Sequence, residues 1–140
     1  MPFATFVTAR DDMYTVLRAA WPGGDNTIAW PDTPFVIPTT ETAWTRVKLI
    51  HANGGQATLS GGNGVQRYTR TGTLWAQVFA PLGDGGTQCY TLAQVLVDAF
   101  EGVSTPNGVW FRNQRINEVG ESGAFTQNNV LIDFTYDELK

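Results

Sequence analysis

Residues 67–80, RYTRTGTLWAQVFA, carry the strongest fold signal in the chain. β-Branched and aromatic residues fill the stretch, and successive side chains of a strand point to opposite faces. Leu74, Ala76 and Val78 then share one side, while Trp75 and Phe79 share the other. Apolar residues on both sides mark an inner strand, or one whose second face is covered by a partner. Gly72 interrupts the run where a bulge is expected.

Upstream, residues 44–52 alternate more simply. Arg46 and Lys48 oppose Val47 and Leu49, so one face of that strand is wet. Between the two strands lies NGGQATLSGGNGVQ, residues 53–66, with five glycines among Asn, Gln and Ser. It reads as an extended hairpin or loop hinged by glycine, with a short β-capable piece at 56–60. Downstream, PLGDGG ends the strand and a helix is expected over 87–101. Leu92, Leu96, Ala99 and Phe100 form its buried stripe, and Gly102 stands where a helix-ending glycine is favoured. Two strands complete the chain, over 109–118 and 128–136, with GESG at 120–123 as the turn. In the last strand Val130, Ile132, Phe134 and Tyr136 share one face, and Asp133, Thr135 and Asp137 the other.

The chain opens with a helix expected over 3–20, its apolar stripe being Phe6, Met13, Leu17 and Ala20. WPGGDN stops it, and a short strand is expected at 27–30. Pro31, Pro34 and Pro38 then make an irregular arm that cannot donate to an inner ladder. Trp30, Phe35 and Val36 are expected to be exposed on this arm as contact residues. The elements add up to an α+β fold: a mostly antiparallel sheet of about four to six strands with two helices packed on one face. The expectation is a single domain over 1–140 with an extended loop at about 53–66.

Composition narrows the function. Charged residues make up 16% of the chain, against a typical ~25%. A subunit that covers itself with copies of itself reads this way, as does a merely polar β-rich surface. The net charge is −4 and the nine basic residues form no run, unlike a nucleic-acid or membrane-surface binder. No apolar stretch approaches the ~20 residues needed to span a bilayer. The N-terminal segment lacks a basic start and holds Asp11 and Asp12 in its middle, unlike a signal peptide. Cys89 is the only cysteine, which excludes an intramolecular disulfide and a cysteine-based metal cluster and fits synthesis in a reducing cytoplasm.

No catalytic constellation emerges. His51 is the only histidine and ends an alternating strand with no nucleophile or carboxylate motif beside it, so a structural or surface role is expected. Cys89 near a helix start is expected to be a partly buried small residue rather than an activated thiol. The GGNG run at 61–64 lacks the Lys-Ser/Thr of a phosphate loop. The pairs Asp11–Asp12 and Asp137–Glu138 have no flanking apolar pocket, so they read as solvated or helix-end charges. Five Trp and four Tyr sit mostly in strand positions, where core packing is the expectation rather than a sugar or base platform.

The runs RYTRTGTLWAQVFAPLGDG, LVDAFEG, VWFRN and EVGESGAFTQNNVLIDFTYDE, with WPDTPFVIP, TAWTRV and the glycine-rich loop ahead of them in order, resemble the tail terminators of long-tailed bacteriophages. The resemblance covers roughly residues 30–138 and consists of glycine, aromatic and strand residues. It implies a small α+β subunit that forms a hexameric ring on the last ring of the tail tube. Such a ring ends polymerisation and presents a surface to the head or its connector. The implied partners are further copies of the chain, the tail-tube protein and a head-completion or connector protein. DNA passes through the lumen without specific binding, which a net negative wall favours. No membrane, cofactor, metal or catalytic residue is implied. The implied location is the virion, at the head-proximal end of the tail, after synthesis in the host cytoplasm.

A ring of this kind uses heterologous contacts, and glycine-hinged and proline-rich segments are natural reaching elements. The candidate subunit or tube contacts are therefore Trp30, Phe35 and Val36 on the arm, with Gln56, Leu59, Asn63 and Gln66 in the loop. A head-completion or head–tail joining subunit is the alternative, followed by a tail-tube protein. A carbohydrate-binding module is a different class, and it requires coplanar exposed Trp rings on a monomer.

Overall fold

A computed structural model describes residues 3–38, 42–58 and 66–140. Five strands form one sheet: β1 (Ile28–Ala29), β2 (Trp44–Gln56), β3 (Arg67–Pro81), β4 (Trp110–Ser122) and β5 (Phe125–Leu139). Their order is β1-β2-β3-β5-β4, so the 67–80 stretch is the central strand. Only the two-residue β1 runs parallel to its neighbour; the remaining pairings are antiparallel. Two helices, α1 (Phe6–Ala20) and α2 (Thr87–Phe100), complete the α+β fold.

Both helices share one core with one sheet face. Ala9, Met13 and Leu17 of α1 join Leu92, Leu96 and Phe100 of α2 in a cluster with Leu74, Ala76, Val78, Val130, Ile132, Phe134 and Tyr136. Each fully buried aliphatic or aromatic side chain here contributes about 1.5–3 kcal/mol relative to exposure. The α2 stripe is wider than its Leu92, Leu96 and Phe100 positions suggest: Cys89 and Ala93 are buried too, while Ala99 is half-buried. Phe6, expected on the buried face of α1, is instead 47% exposed. It stands at the first helical position, where its ring meets the edge of the His51 ring at 4.7 Å.

The helix ends follow from their sequences. Thr5 accepts from the Thr8 amide at 3.2 Å, and Thr8 Oγ1 accepts from the Thr5 amide at 2.8 Å, a reciprocal cap. Asp84 accepts from the amides of Gly86 and Gln88, both at 3.0 Å, and so starts α2. Gly102, with φ +70°, follows its end.

Three expectations shift. Among the described residues three strands precede α2 rather than about four: Gln56 closes β2, 57–58 belong to no strand, and the rest of the expected 56–60 piece lies outside the described residues. The bulge at Gly72 sits across from it, with Ala52 the extra residue between the pairs His51–Gly72 and Asn53–Thr71. The last turn is not GESG. Ser122 pairs with Phe125 around Gly123–Ala124, Gly123 having φ +62°, while Gly120 (φ +96°) borders a bulge at Val119.

Candidate functional site

The second face of the sheet carries neither helix, and its composition is uneven. At one end Trp44 of β2 stacks on Phe79 of β3 with ring centroids 4.2 Å apart and planes 10° from parallel. Phe125 of β5 meets Trp44 edge-on at 6.1 Å. These side chains meet because β2, β3 and β5 present positions 44, 79 and 125–127 in adjacent register. A groove of about 450 Å³ opens beside them, bordered by Ile37, Arg46, Gln77 and the 122–125 turn. The Arg46 guanidinium lies 5.2 Å over the Trp44 ring.

Toward the other end the same face turns polar. Asp133 accepts from Thr73 Oγ1 and Asn113 Nδ2, both at 3.0 Å, and pairs with Arg115 at 3.3 Å. Burial raises the Asp133 pKa, but those hydrogen bonds and the Arg115 charge outweigh it and hold the carboxyl below its ordinary range. Arg112 Nη1 donates to Thr135 Oγ1. Thr69 donates to Asp137 at 2.7 Å.

Two of the three arm residues differ from expectation, Trp30 and Phe35. Trp30 is half-buried against its own fold rather than exposed: its ring lies 4.7 Å from Tyr14, its N–H donates to Asp25 at 2.9 Å, and Arg18 lies 5.0 Å over it. The hydrogen bonds from Trp30 and then Arg18 pull the Asp25 pKa down. Phe35 is also half-buried, stacked on Trp44 at 5.4 Å. The proline spacing that predicts an arm says nothing about which neighbour its aromatics meet. Val36 is 89% exposed.

In the hairpin, Gln56 is exposed and donates to the Thr58 carbonyl at 2.6 Å. Gln66 is half-buried, and its backbone exchanges two 2.8 Å hydrogen bonds with Lys140. Leu59 and Asn63 lie outside the described residues. The arm flanks the Trp44 end of β2 and Gln56 is its other end, roughly 40 Å away at the rise of an extended strand. The described candidates thus form two separate regions.

His51 and Cys89 sit in packed surroundings. His51 Nε2 and the Tyr136 hydroxyl are 2.7 Å apart, with Phe6 and Phe134 edge-on to the imidazole. Burial, then the Arg70 charge, lowers the His51 pKa, and burial raises that of Tyr136 to about 12. A neutral imidazole and a neutral phenol therefore share this hydrogen bond. Arg70 is itself paired with Glu138 at 3.0 Å. Cys89 is fully rather than partly buried, its thiol donating to the carbonyls of Val78 at 3.6 Å and Thr126 at 3.4 Å. Burial pushes its pKa up, so it is not an activated thiolate.

Sequence reasoning placed Phe79 on this second face but missed its stack with Trp44 and Phe125. The recoverable signal was parity, since Trp44, Phe79 and Phe125 all oppose the core positions of their strands.

Residues 13–128 match the model of a family described as phage tail terminator protein. No curated protein sequence matches the chain. Among solved structures with this architecture, one at 16% identity superposes with a TM-score of 0.68, covering 91% of this chain and 92% of its own. Identity that low establishes a common fold and nothing further.

Proposed function

We propose that this chain, which belongs to the phage tail terminator family, caps the head-proximal end of a phage tail tube. In this reading six copies form a ring, end tube polymerisation and offer the surface that joins tail to head. The family match over residues 13–128 is the observation that carries it. The role is structural, and neither a cofactor nor a catalytic step belongs to it. The partners are the tail-tube protein on one side and a head-completion or connector protein on the other. DNA passes through the lumen, and a net charge of −4 keeps the wall from holding phosphates.

Two features support the reading. The β2–β3 hairpin extends well past the core: its pairing continues to the Gln56–Tyr68 position and to the Ala57 amide, which donates to the Arg67 carbonyl at 2.7 Å. Residues 52–57 there are all exposed. Such a projection has little to pack against in its own copy and suits a neighbour or the tube. The second sheet face supplies a further broad surface with an apolar end. Val36 and the hairpin residues Gln56, Leu59, Asn63 and Gln66 are the proposed contact points, with Trp30 and Phe35 shaping the base of the arm.

The experiment is electron microscopy of intact tails with the chain labelled. The expected image is one labelled ring at the head-proximal end of tubes of uniform length, and tubes of irregular, excess length when the chain is absent. Label spread along the tube, or confined to the capsid, overturns the proposal.

A further inference from the structure

The two sides of the sheet differ in charge at the same level. On the open face Arg46 and Lys48 are exposed, and neither has an acidic partner among the described residues. On the helix-bearing face a groove of about 340 Å³ lies between the 82–86 loop and β4. Leu82 and Tyr90 line it, 44% and 47% exposed, together with Glu118 and Glu121. Neither glutamate has a cationic partner among the described residues. Asn128, only 2% exposed, lines the same groove, and its Nδ2 has no acceptor among the described residues.

Strand register fixes the relative height of these groups. Arg46 pairs with Gln77, Gln77 with Asn129 and Asn129 with Asn117. Arg46 is therefore level with Asn117, one residue from Glu118, or about 3.3 Å along the strands. Arg46 and Glu118 thus stand on opposite faces within one residue of the same height, while Lys48 lies two residues to one side of that level and Glu121, opposite Thr126 and so Ala80, about three to the other. A contact between unlike patches on different faces is heterologous, and it closes into a ring where the rotation from copy to copy closes. Pairing of strand edges is the less suitable route. Along β4, one outer strand, two bulges interrupt the edge, after Arg112 and after Glu118.

Resting on the ring reading above, we infer that the Glu118–Glu121 groove of one copy receives the Arg46–Lys48 side of a second copy of this chain. Leu82 and Tyr90 supply the apolar floor, and the opposed charges set the register and discourage a reversed contact. The Asn128 amide then gains an acceptor from the incoming copy.

Sedimentation equilibrium of the full chain from micromolar to millimolar concentration tests this. All four side chains are exposed, so their substitution leaves the fold intact, which melts of each variant check. Arg46→Glu with Lys48→Glu, and separately Glu118→Arg with Glu121→Arg, should each weaken association at least ~10-fold. Combining all four should restore it to within about threefold of the unmodified chain, since the contact is re-formed with its charges exchanged. As an independent measure, Arg46→Cys with Glu118→Cys should give, on oxidation, a ladder of covalent oligomers, whereas each cysteine alone stops at a dimer. An oligomer indifferent to both reversals overturns the contact and leaves ring formation standing. Absence of both association and ladder also overturns the contact, and the capping reading then rests on the tail images alone.

Discussion

Replacing Gly72 by Ala should destabilise the fold severely, because the added methyl has nowhere to go. An ideal Cβ at position 72 falls 2.2 Å from the Ile50 carbonyl oxygen, 2.6 Å from Phe134 Cζ and 2.8 Å from His51 Cα. The shortest approach is roughly 1 Å inside an ordinary contact, and two of the three atoms are backbone. The backbone atoms belong to β2 beside its bulge, so relief means moving a strand. Phe134 is fully buried and stacked against Tyr136 at 6.1 Å, so its ring cannot swing aside freely. Overpacking of this kind costs about 1–3 kcal/mol, and a backbone clash belongs at or above the top of that range. For a chain of 140 residues, ~3 kcal/mol lowers Tm by about 10 °C. Urea unfolding followed by tryptophan fluorescence should show a lower midpoint with an unchanged slope. Gly55→Ala is the matched control in the same hairpin. Nothing lies within 4 Å of its added Cβ, so it should be neutral or stabilising by up to about 1 kcal/mol. A Gly72→Ala variant within about 0.5 kcal/mol of the unmodified protein refutes the close-approach account and with it the register at the bulge.

Phe134→Ala and Phe100→Ala should each cost about 3–5 kcal/mol by chemical denaturation, since both rings are fully buried in the shared core. Phe35→Ala should cost less, about 1–2 kcal/mol, because its ring is half-buried and stacked on Trp44; a loss as large as that of Phe134→Ala would make the arm part of the main core. His51 has a folded pKa below its ordinary 6.5, so its contribution is fully present above pH 6.5 and is lost as pH falls through the folded value. Stability of the unmodified chain should therefore begin to decline below pH 6.5, ahead of carboxylate protonation, and His51→Gln should remove that early decline; identical profiles for the two proteins would count against a neutral imidazole. Cys89→Ser should fold with a loss of about 1 kcal/mol, the hydroxyl keeping a donor toward Val78 and Thr126, and an activity loss at unchanged stability would point to a chemical role.

What the sequence disclosed and what it withheld divide along one line. Local patterns were legible: the 67–80 stretch is the central strand, the Leu92–Leu96–Phe100 stripe is buried, and Val130, Ile132, Phe134 and Tyr136 form the core face of β5. Each of these follows from a period of 3.6 or 2 within one element. Contacts between elements distant in sequence were not legible in the same way. Trp30 reads as exposed because Pro31 follows it, yet it lies against Tyr14, Arg18 and Asp25, which the turn through Pro22 brings beside it. Trp44, Phe79 and Phe125 are scattered over 82 positions and meet only through the registers of β2, β3 and β5. The turn at Gly123 was misplaced because Gly120 offers the same chemistry three residues earlier, and only the pairing of Ser122 with Phe125 decides between them. The level of Arg46 and Glu118 is the same kind of information. Their 72 positions of separation give no hint of it, whereas three consecutive strand pairings set it to one residue. The contact proposed between copies therefore rests on register rather than on a motif.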